Sequence, residues 1–164
     1  YVPGVRENGG QYTHAAVWLA LGCLNSGLTN EAWEMLRAIL PLNHDIAVYK
    51  AEPIVLAADV YANPQHIGRA GWNWYTGAAS WYFRVVEEEL LGIKLRGGVL
   101  KIEPKIPDSW SGFSALWRCG DREFNITVRR AEKPKLIVDD SPVNDKIIDL
   151  SKYLGKHDII VEIG

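Results

Sequence analysis

The chain has 164 residues, a formal net charge of −2 and an isoelectric point near 6.1. This length suits one ordinary hydrophobic core or two small ones, and the charge gives no long-range attraction to nucleic acid or acidic lipid. The longest apolar run, residues 15–24, is shorter than the roughly 20 residues that cross a bilayer, so we expect no membrane contact from this segment. Cys23 and Cys119 have no paired spacing and no signal-peptide pattern is present, which predicts a cytoplasmic protein without a disulfide.

Two helices are predicted near the start of the chain. Residues 12–24 are apolar nearly all round, which is typical of a helix enclosed by neighbours. Over residues 32–40 the apolar side chains recur at i, i+3, i+4, i+7 and i+8, which predicts a second, amphipathic helix. Thr29 or Asn30 can cap this second helix, and Pro41 stops it.

Two further helices are predicted before the middle of the chain. Pro53 suits the first position of a helix over residues 54–61, on which Asp59 would face a cleft. A fourth helix should run from about Thr76 to Leu91, with Gly92 as a left-handed stop. The glutamates 87–89 lie at the end of this helix where the dipole disfavours acid, so tertiary contacts must hold that end.

After residue 98 the apolar period changes from helical to two, which predicts half-buried strands. Leu100 and Ile102 begin this pattern, and a turn at residues 120–121 is predicted to join strands over 113–119 and 122–130. A second turn is predicted at residues 139–142. Further short strands are predicted over residues 136–138, 143–150 and 159–163.

These elements predict an α+β fold in mostly separate layers. Residues 1–94 would form a helical domain, and residues 95–164 a small antiparallel β-sandwich or jelly-roll-like domain. Four short helices, one of them apolar all round, do not cover each other, because each buried stripe needs a facing stripe. We therefore expect the helical part to be incomplete in this chain.

The segment from residue 5 to residue 16 carries the first candidate site. Arg6 offers a planar fork for hydroxyls or oxyanions, and Glu7 accepts hydrogen bonds from sugar hydroxyls. His14, near the start of a helix, could donate to a phosphate. The alternatives are a solvated loop with a surface ion pair for Arg6 and Glu7, and a satisfied core residue for His14. No HxH, HExxH or Cys/His cluster occurs, so no metal site and no cofactor are expected.

A second candidate site lies at residues 71–77, Gly-Trp-Asn-Trp-Tyr-Thr-Gly. Thr76 at a helix N-cap, followed by Gly77, would present a hydroxyl and bare N–H groups, which is the geometry that binds phosphate. Trp74 and Tyr75 could shape a sugar subsite. The alternative is that Thr76 only caps the helix.

Four motifs together resemble the C-terminal part of the inverting glycoside phosphorylases. They are Arg-Glu-Asn-Gly-Gly-Gln-Tyr-Thr-His over residues 6–14, Tyr-Lys-Ala-Glu-Pro over 49–53, Ala-Asp-Val-Tyr over 58–61 and Gly-Trp-Asn-Trp-Tyr-Thr-Gly over 71–77. That group includes cellobiose, chitobiose and β-1,2-oligoglucan phosphorylases and the C-terminal region of cyclic β-1,2-glucan synthases. The resemblance spans about residues 3–130, and the Gln-Tyr-Thr-His version is most similar to the β-1,2-glucan branch.

The resemblance implies a partial (α/α)6 barrel followed by the β-domain. It also implies that His14, Thr76 and the backbone of Gly77 hold inorganic phosphate, a co-substrate, while Arg6 and Glu7 contact the acceptor-side sugar. Gln11, Trp74 and Tyr75 complete the expected substrate-binding set.

The implied reaction is cleavage of a β-glucan or disaccharide by phosphate, with inversion, to give an α-sugar 1-phosphate. The family's general-acid Asp lies in an upstream segment that this chain lacks, so no catalytic residue is assigned here and the chain alone is expected to be inactive. Its expected partners are oligosaccharide, phosphate, and the rest of the barrel in the same protein, a second chain or a homodimer. The alternatives are a non-catalytic carbohydrate-binding or interaction module, and a hydrolase that uses Glu7, Glu52 or Asp59 to activate water.

Overall fold

A computed structural model of the chain describes residues 1–52, 54–75, 77–143 and 147–164. The chain divides into two compact units, Tyr1–Val86 and Glu87–Gly164. Helices dominate the first unit and strands the second, so the fold is mixed α+β. The predicted division into domains 1–94 and 95–164 stays a prediction. Among the described residues, no helix combines the length and the apolar character that crossing a bilayer requires.

The described residues of the first unit form four α-helices and two very short strands. In chain order they are β1 (Gln11–Tyr12), α1 (Thr13–Asn25), α2 (Thr29–Ile39), α3 (Ile46–Tyr49), β2 (Asp59–Val60) and α4 (Ala78–Arg84). A 3-10 turn over Pro41–Asn43 follows α2, so Pro41 ends the α-helix as predicted. The N-cap position of α2 is Leu28, which makes no side-chain cap, and the prediction of a cap at Thr29 or Asn30 is therefore wrong.

Helix α1 is buried along one side only. Val17 and Ala20 are fully buried, whereas Trp18 is 53% and Leu19 57% exposed. The helix is apolar on both sides and was predicted to be enclosed by neighbours. The exposure of Trp18 and Leu19 differs from that prediction. On this side Trp18 meets Trp81 of α4 edge to face, with 5.4 Å between ring centroids, but both Trp18 and Leu19 remain more than half exposed.

The predicted helix over residues 54–61 is not present in the described residues 54–61. Asp59 and Val60 instead form strand β2, which pairs antiparallel with β1 in the register Tyr12 to Asp59 and Gln11 to Val60. Val60 also forms an antiparallel bridge with Ala70. Pairing with segments far along the chain therefore overrides the local helical spacing. Pro53 lies outside the described residues.

Helix α4 begins later than predicted, at Ala78, with Gly77 in the N-cap position. Thr76 lies outside the described residues. A π-helix over Val85–Leu90 follows in the chain. Gly92 has a φ of +72°, and a Cβ at this position would lie 2.1 Å from the carbonyl oxygen of Glu103. The left-handed stop predicted at Gly92 is confirmed.

The second unit contains two sheets. Its strands are, in chain order, β3 (Ile93–Arg96), β4 (Val99–Ile102), β5 (Gly112–Cys119), β6 (Arg122–Arg130), β7 (Lys135–Val138), β8 (Ser141–Pro142), β9 (Ile147–Asp149) and β10 (Gly155–Ile163). One sheet has the order β3-β4-β9 and the other β5-β6-β10-β7-β8. The β5–β6 hairpin and the turn between β7 and β8 are confirmed. Residues 144–146 lie outside the described part of the predicted strand 143–150.

Both sheets of the second unit contribute to one hydrophobic core. Leu100 and Ile102 of β4 are buried in the same cluster as Phe124, Ile126 and Val128 of β6, which confirms the period-two prediction. The strand pairs of the second unit are antiparallel as predicted, except that β10 pairs parallel with β6, so the larger sheet is mixed. The parallel pair arises because β10 returns beside β6 after the intervening strands β7, β8 and β9.

Ion pairs neutralise two of the three glutamates that follow α4, Glu88 and Glu89. Glu88 accepts a hydrogen bond from Arg96 at 2.5 Å. Glu89 accepts one from Lys94 at 2.9 Å, and Lys105 approaches the same oxygen at 3.5 Å. The expectation that tertiary contacts hold this end of the helix is therefore confirmed.

Candidate functional site

Three separate segments of the first unit are joined by backbone hydrogen bonds beside β1 and β2. The N–H of Thr13 donates to the carbonyl of Ala58 at 3.0 Å, and the N–H of Ala58 donates to the carbonyl of Trp72 at 2.7 Å. The N–H of Gly71 donates to the carbonyl of Asp59 at 2.7 Å. These bonds attach both motif segments, residues 6–14 and 71–77, to one short strand.

Arg6 is buried, with 7% of its surface exposed, and has a φ of +47°. A left-handed conformation in a residue other than glycine costs on the order of 1–3 kcal/mol and is frequent at functional sites. Two hydrogen bonds hold it: the Arg6 N–H donates to Oδ2 of Asp59 at 3.2 Å, and its carbonyl accepts from the N–H of Gly10 at 2.9 Å. The interpretation of Arg6 as part of a solvated surface loop is therefore wrong.

The guanidinium of Arg6 lies in an aromatic setting. Its Cζ is 3.8 Å from the ring centroid of Trp72 and within 6 Å of the rings of Tyr1 and Tyr75, distances typical of cation–π contacts. Its Nη2 is buried and has no hydrogen-bond partner among the described residues. Because buried donors are nearly always bonded, this atom is suited to an acceptor on a ligand.

Asp59 is fully buried, and sequence reasoning placed it wrongly, on a helix facing a cleft. Its Oδ1 has no hydrogen-bond partner among the described residues. A Cβ added at Gly71 would lie 1.9 Å from this oxygen, so only glycine fits beside the carboxylate. In the sequence, Asp59 stands as a polar residue within the apolar run 54–60. This position was a sign of a special role, since unpaired buried carboxylates are costly.

Glu7 and Gln11 are exposed, unlike Arg6. The Gln11 Oε1 accepts a weak hydrogen bond of 3.5 Å from the Thr13 hydroxyl. Glu52 is also exposed and accepts a hydrogen bond of 2.5 Å from Nδ2 of Asn73. The remaining Oδ1 of Asn73 is buried without a partner among the described residues, so it joins Arg6 Nη2 as a polar atom suited to bond a ligand.

The aromatic residues of the second motif are strongly exposed. Trp74 is 75% exposed and has a φ of +59°, and Tyr75 is 61% exposed. The ring of Tyr75 meets that of Trp72 edge to face, with 4.6 Å between centroids. Exposed rings of this kind offer flat apolar faces to a sugar.

His14 stands at the start of α1 among aromatic rings. Its ring centroid lies 5.1 Å from that of Trp18, 6.2 Å from Trp81 and 6.5 Å from Tyr12. Its Nε2 is buried and has no hydrogen-bond partner among the described residues, so the interpretation of a satisfied core histidine is wrong. Trp18 and Trp81 were not among the predicted site residues.

The structure brings His14 beside the beginning of α4. A Cβ added at Gly77 would lie 3.9 Å from Cε1 of His14, so the ring and the Gly77 backbone are neighbours. The predicted juxtaposition of the two motif segments is therefore present for His14 and Gly77. The third predicted phosphate ligand, Thr76, lies outside the described residues.

Residues 1–92 match the family model of the glycosyl hydrolase 94 superfamily, catalytic domain. The chain belongs to this superfamily. It is 45% identical over 138 residues to the cyclic beta-(1,2)-glucan synthase NdvB of Rhizobium meliloti (strain 1021), covering 81% of this chain and 5% of that protein. It is 32% identical over 140 residues to the solabiose phosphorylase of Paenibacillus borealis, covering 81% of this chain and 18% of the relative.

A third superfamily relative is the N,N'-diacetylchitobiose phosphorylase of Vibrio furnissii, 27% identical over 149 residues, which are 89% of this chain and 19% of that enzyme. The chain thus spans less than a fifth of the length of these relatives. The resemblance to phosphorylases and cyclic glucan synthases predicted from the motifs is confirmed.

Proposed function

We propose that the chain forms the phosphate-binding and part of the sugar-binding side of a glycoside phosphorylase catalytic domain. The reaction is cleavage of a β-glucan or disaccharide by inorganic phosphate, with inversion, to give an α-sugar 1-phosphate. One observation carries this proposal: the unpartnered, buried Nε2 of His14 lies on a ring that adjoins the backbone of Gly77.

Phosphate would bind between the His14 ring and the Gly77 backbone. An imidazole N–H donates to a phosphate oxygen, and a glycine lets a peptide N–H approach an anion closely. The Thr76 hydroxyl is proposed as a further donor on the strength of the motif. Since Nε2 of His14 has no hydrogen-bond partner among the described residues, phosphate would satisfy an otherwise costly buried group.

The sugar would bind at the other end of the two motif segments. Arg6 and Glu7 would contact hydroxyls, with Gln11 beside them, and Trp74 and Tyr75 would contact an apolar sugar face. The charge of Arg6 suits a donor role because Nη2 is already desolvated and lacks a partner. Aromatic exposure of 75% and 61% leaves the rings of Trp74 and Tyr75 accessible.

The chemistry needs one carboxylic acid outside this chain. A phosphate oxygen forms a bond to the anomeric carbon while the glycosidic C–O bond breaks, and the acid protonates the leaving oxygen. Phosphate is already an anion, so the second carboxylate with which an inverting hydrolase activates water is unnecessary. This chain would supply phosphate and acceptor contacts only.

The proposed partner of the first unit is the remainder of an (α/α)6 barrel, supplied by the same protein or by another chain. Of the large apolar side chains that are exposed in the described residues, all but Leu116, Ile147 and Leu154 lie in this unit. Exposed apolar surface of this extent is typical of an interface.

A carbohydrate-binding module without phosphate chemistry is the second candidate function. The exposure of Trp74 and Tyr75 favours it, because aromatic platforms alone are enough to bind glycan. The two functions differ in their dependence on phosphate.

Titration of the 15N-labelled chain with inorganic phosphate separates the two functions. We expect phosphate to shift the Gly77 amide and the His14 ring resonances, and His14→Asn to weaken phosphate binding about tenfold, or ~1.4 kcal/mol. His66→Asn, at an exposed histidine of the same unit, is the matched control. Glycan binding that is unaffected by phosphate, with no change at Gly77, would support the binding module instead.

A further inference from the structure

We propose that Asp59 is a positioning residue of the sugar-binding region: it fixes Arg6 and the aromatic platform under Arg6 without touching the substrate itself. This inference rests on the proposed function for the role of Arg6. Its structural part, the control of Arg6 by Asp59, stands on contacts within the first unit.

Asp59 controls the backbone of Arg6. The Arg6 N–H donates to Oδ2 of Asp59 at 3.2 Å, across 53 residues of sequence, and the Arg6 carbonyl accepts from Gly10. Both polar backbone groups of Arg6 are thus bonded in the left-handed conformation, at a φ of +47°. Without the carboxylate, the N–H would be buried without an acceptor and the strained conformation would lose one of its two restraints.

Asp59 also fixes the position of the second motif segment. Its carbonyl accepts from the N–H of Gly71 at 2.7 Å, and its Oδ1 fills the space of the absent Gly71 side chain. The next residue, Trp72, carries the ring that lies 3.8 Å from the Arg6 guanidinium. Asp59 therefore contacts both segments: its Oδ2 bonds the backbone of Arg6, while its Oδ1 and its backbone carbonyl lie against Gly71, the residue before the Trp72 ring.

The burial of Asp59 argues against direct contact with substrate. Its exposed fraction is 0%, and the Gly71 backbone closes over Oδ1. Burying a carboxylate is costly, and the hydrogen bond that this one accepts comes from the Arg6 N–H. A role in positioning Arg6 accounts for a polar acceptor at this place.

Two variants of similar volume separate positioning from stability. Asp59→Asn keeps an oxygen acceptor for the Arg6 N–H, whereas Asp59→Leu has none. We expect Asp59→Leu to weaken binding of a β-1,2-linked glucose disaccharide about tenfold, or ~1.4 kcal/mol, and phosphate binding less than about twofold. Asp59→Asn should restore most of the sugar affinity. Asp45→Ala, which removes the α3 cap bond to Ala47 away from Arg6, controls for general destabilisation.

A double-mutant cycle tests the contact with Gly71. Gly71→Ala should weaken sugar binding, because the new Cβ displaces Oδ1 of Asp59. In the Asp59→Ala background the same change should have little further effect, since the obstructing oxygen is gone. If Asp59→Ala does not fold, the comparison of Asn with Leu decides the proposal alone.

The outcomes distinguish failure of this inference from failure of the proposed function. A wild-type chain that binds neither phosphate nor the disaccharide would contradict the proposed function. Control of Arg6 by Asp59 would still be supported if the Arg6 amide resonance shifts in Asp59→Leu and stays unchanged in Asp59→Asn. Any of three results would overturn the positioning role. They are equal losses of phosphate and sugar affinity in Asp59→Leu, additive effects of the changes at residues 59 and 71, and an unchanged Arg6 amide resonance in Asp59→Leu.

Discussion

At the scale of single residues, unpartnered polar atoms mark the candidate site. Arg6 Nη2, His14 Nε2, Asp59 Oδ1 and Asn73 Oδ1 are buried without hydrogen-bond partners among the described residues. All four belong to the first unit, and three of them lie within the two long motifs. A folded chain seldom leaves such atoms unbonded, because each costs on the order of 1–3 kcal/mol. Asp59 Oδ1 is closed over by the Gly71 backbone, whereas the other three atoms are suited to a polar ligand.

The pair His157 and Asp139 in the second unit contrasts with these unpartnered atoms, because both ring nitrogens of His157 have hydrogen-bond partners. His157 Nδ1 lies 2.6 Å from Oδ2 of Asp139, and His157 Nε2 lies 3.0 Å from the carbonyl of Leu154. This hydrogen bond raises the pKa of His157 above its ordinary 6.5 and lowers the pKa of Asp139 below its ordinary 3.8. Both ring nitrogens face acceptors, so the pair favours the imidazolium and the carboxylate together.

The pair predicts a defined pH dependence of stability. The contribution of His157 is complete below pH 6.5 and is lost as pH rises through its raised pKa, whereas that of Asp139 is lost as pH falls through its lowered pKa. His157→Gln should therefore lower the thermal midpoint most at about pH 5–6, and progressively less toward about pH 9. Asp139→Asn should follow the same trend above neutrality, and a midpoint difference that is constant over this range would contradict the prediction.

Sequence reasoning located some of the site residues but not their surroundings. His14 and Gly77 each have a local signal, one at a helix start and one before a helix, and the resemblance to the phosphorylases implied that both hold phosphate. The burial of Arg6 and the role of Asp59 depend on the pairing of Tyr12 with Asp59, which joins residues 47 positions apart. No local pattern contains that register, so the carboxylate was assigned to the wrong kind of element.

At the scale of secondary-structure elements, sequence patterns predicted the structure correctly where interactions between neighbouring residues decide the conformation. The stop at Gly92 was predictable because a left-handed residue requires glycine. The segment 54–61 has a helix-compatible apolar pattern, but its backbone hydrogen bonds go to Thr13, Arg69 and Trp72. Such non-local bonds cannot be read from spacing, and they replaced the expected helix by a short strand.

The acidic π-helical turn provides a test at this scale. Glu89 is 18% exposed and meets both Lys94 and Lys105, so Glu89→Gln should destabilise the second unit by about 0.5–1 kcal/mol. Glu87→Gln is the matched control: Glu87 has no ion pair among the described residues, and it lies at the end where the helix dipole disfavours acid. Both changes are measured as shifts of the urea unfolding midpoint, provided that the slope of the unfolding free energy against urea concentration stays the same. Equal effects of the two variants would contradict the assigned role of the Lys94 and Lys105 pairs.

At the scale of the whole molecule, the proposed function places ligand binding in this chain and the general acid of the reaction outside it. Three carboxylates lie in or near the motif segments of the first unit. Asp59 is fully buried, and Glu52 is engaged by Asn73. Glu7 is exposed and is proposed to contact the acceptor sugar. We therefore propose none of these three carboxylates as the general acid of the reaction.

The 164-residue chain alone should therefore bind phosphate without catalysing phosphorolysis. We expect no release of α-glucose 1-phosphate from a β-1,2-linked glucose disaccharide and phosphate, measured by a coupled assay in which a complete glycoside phosphorylase with its own substrate is the positive control. The Gly77 amide should still shift with phosphate in the same sample, because His14 and Gly77 are already neighbours in the isolated first unit. Sugar 1-phosphate release that depends on Glu7 and is abolished by Glu7→Gln would instead place the acid within this chain.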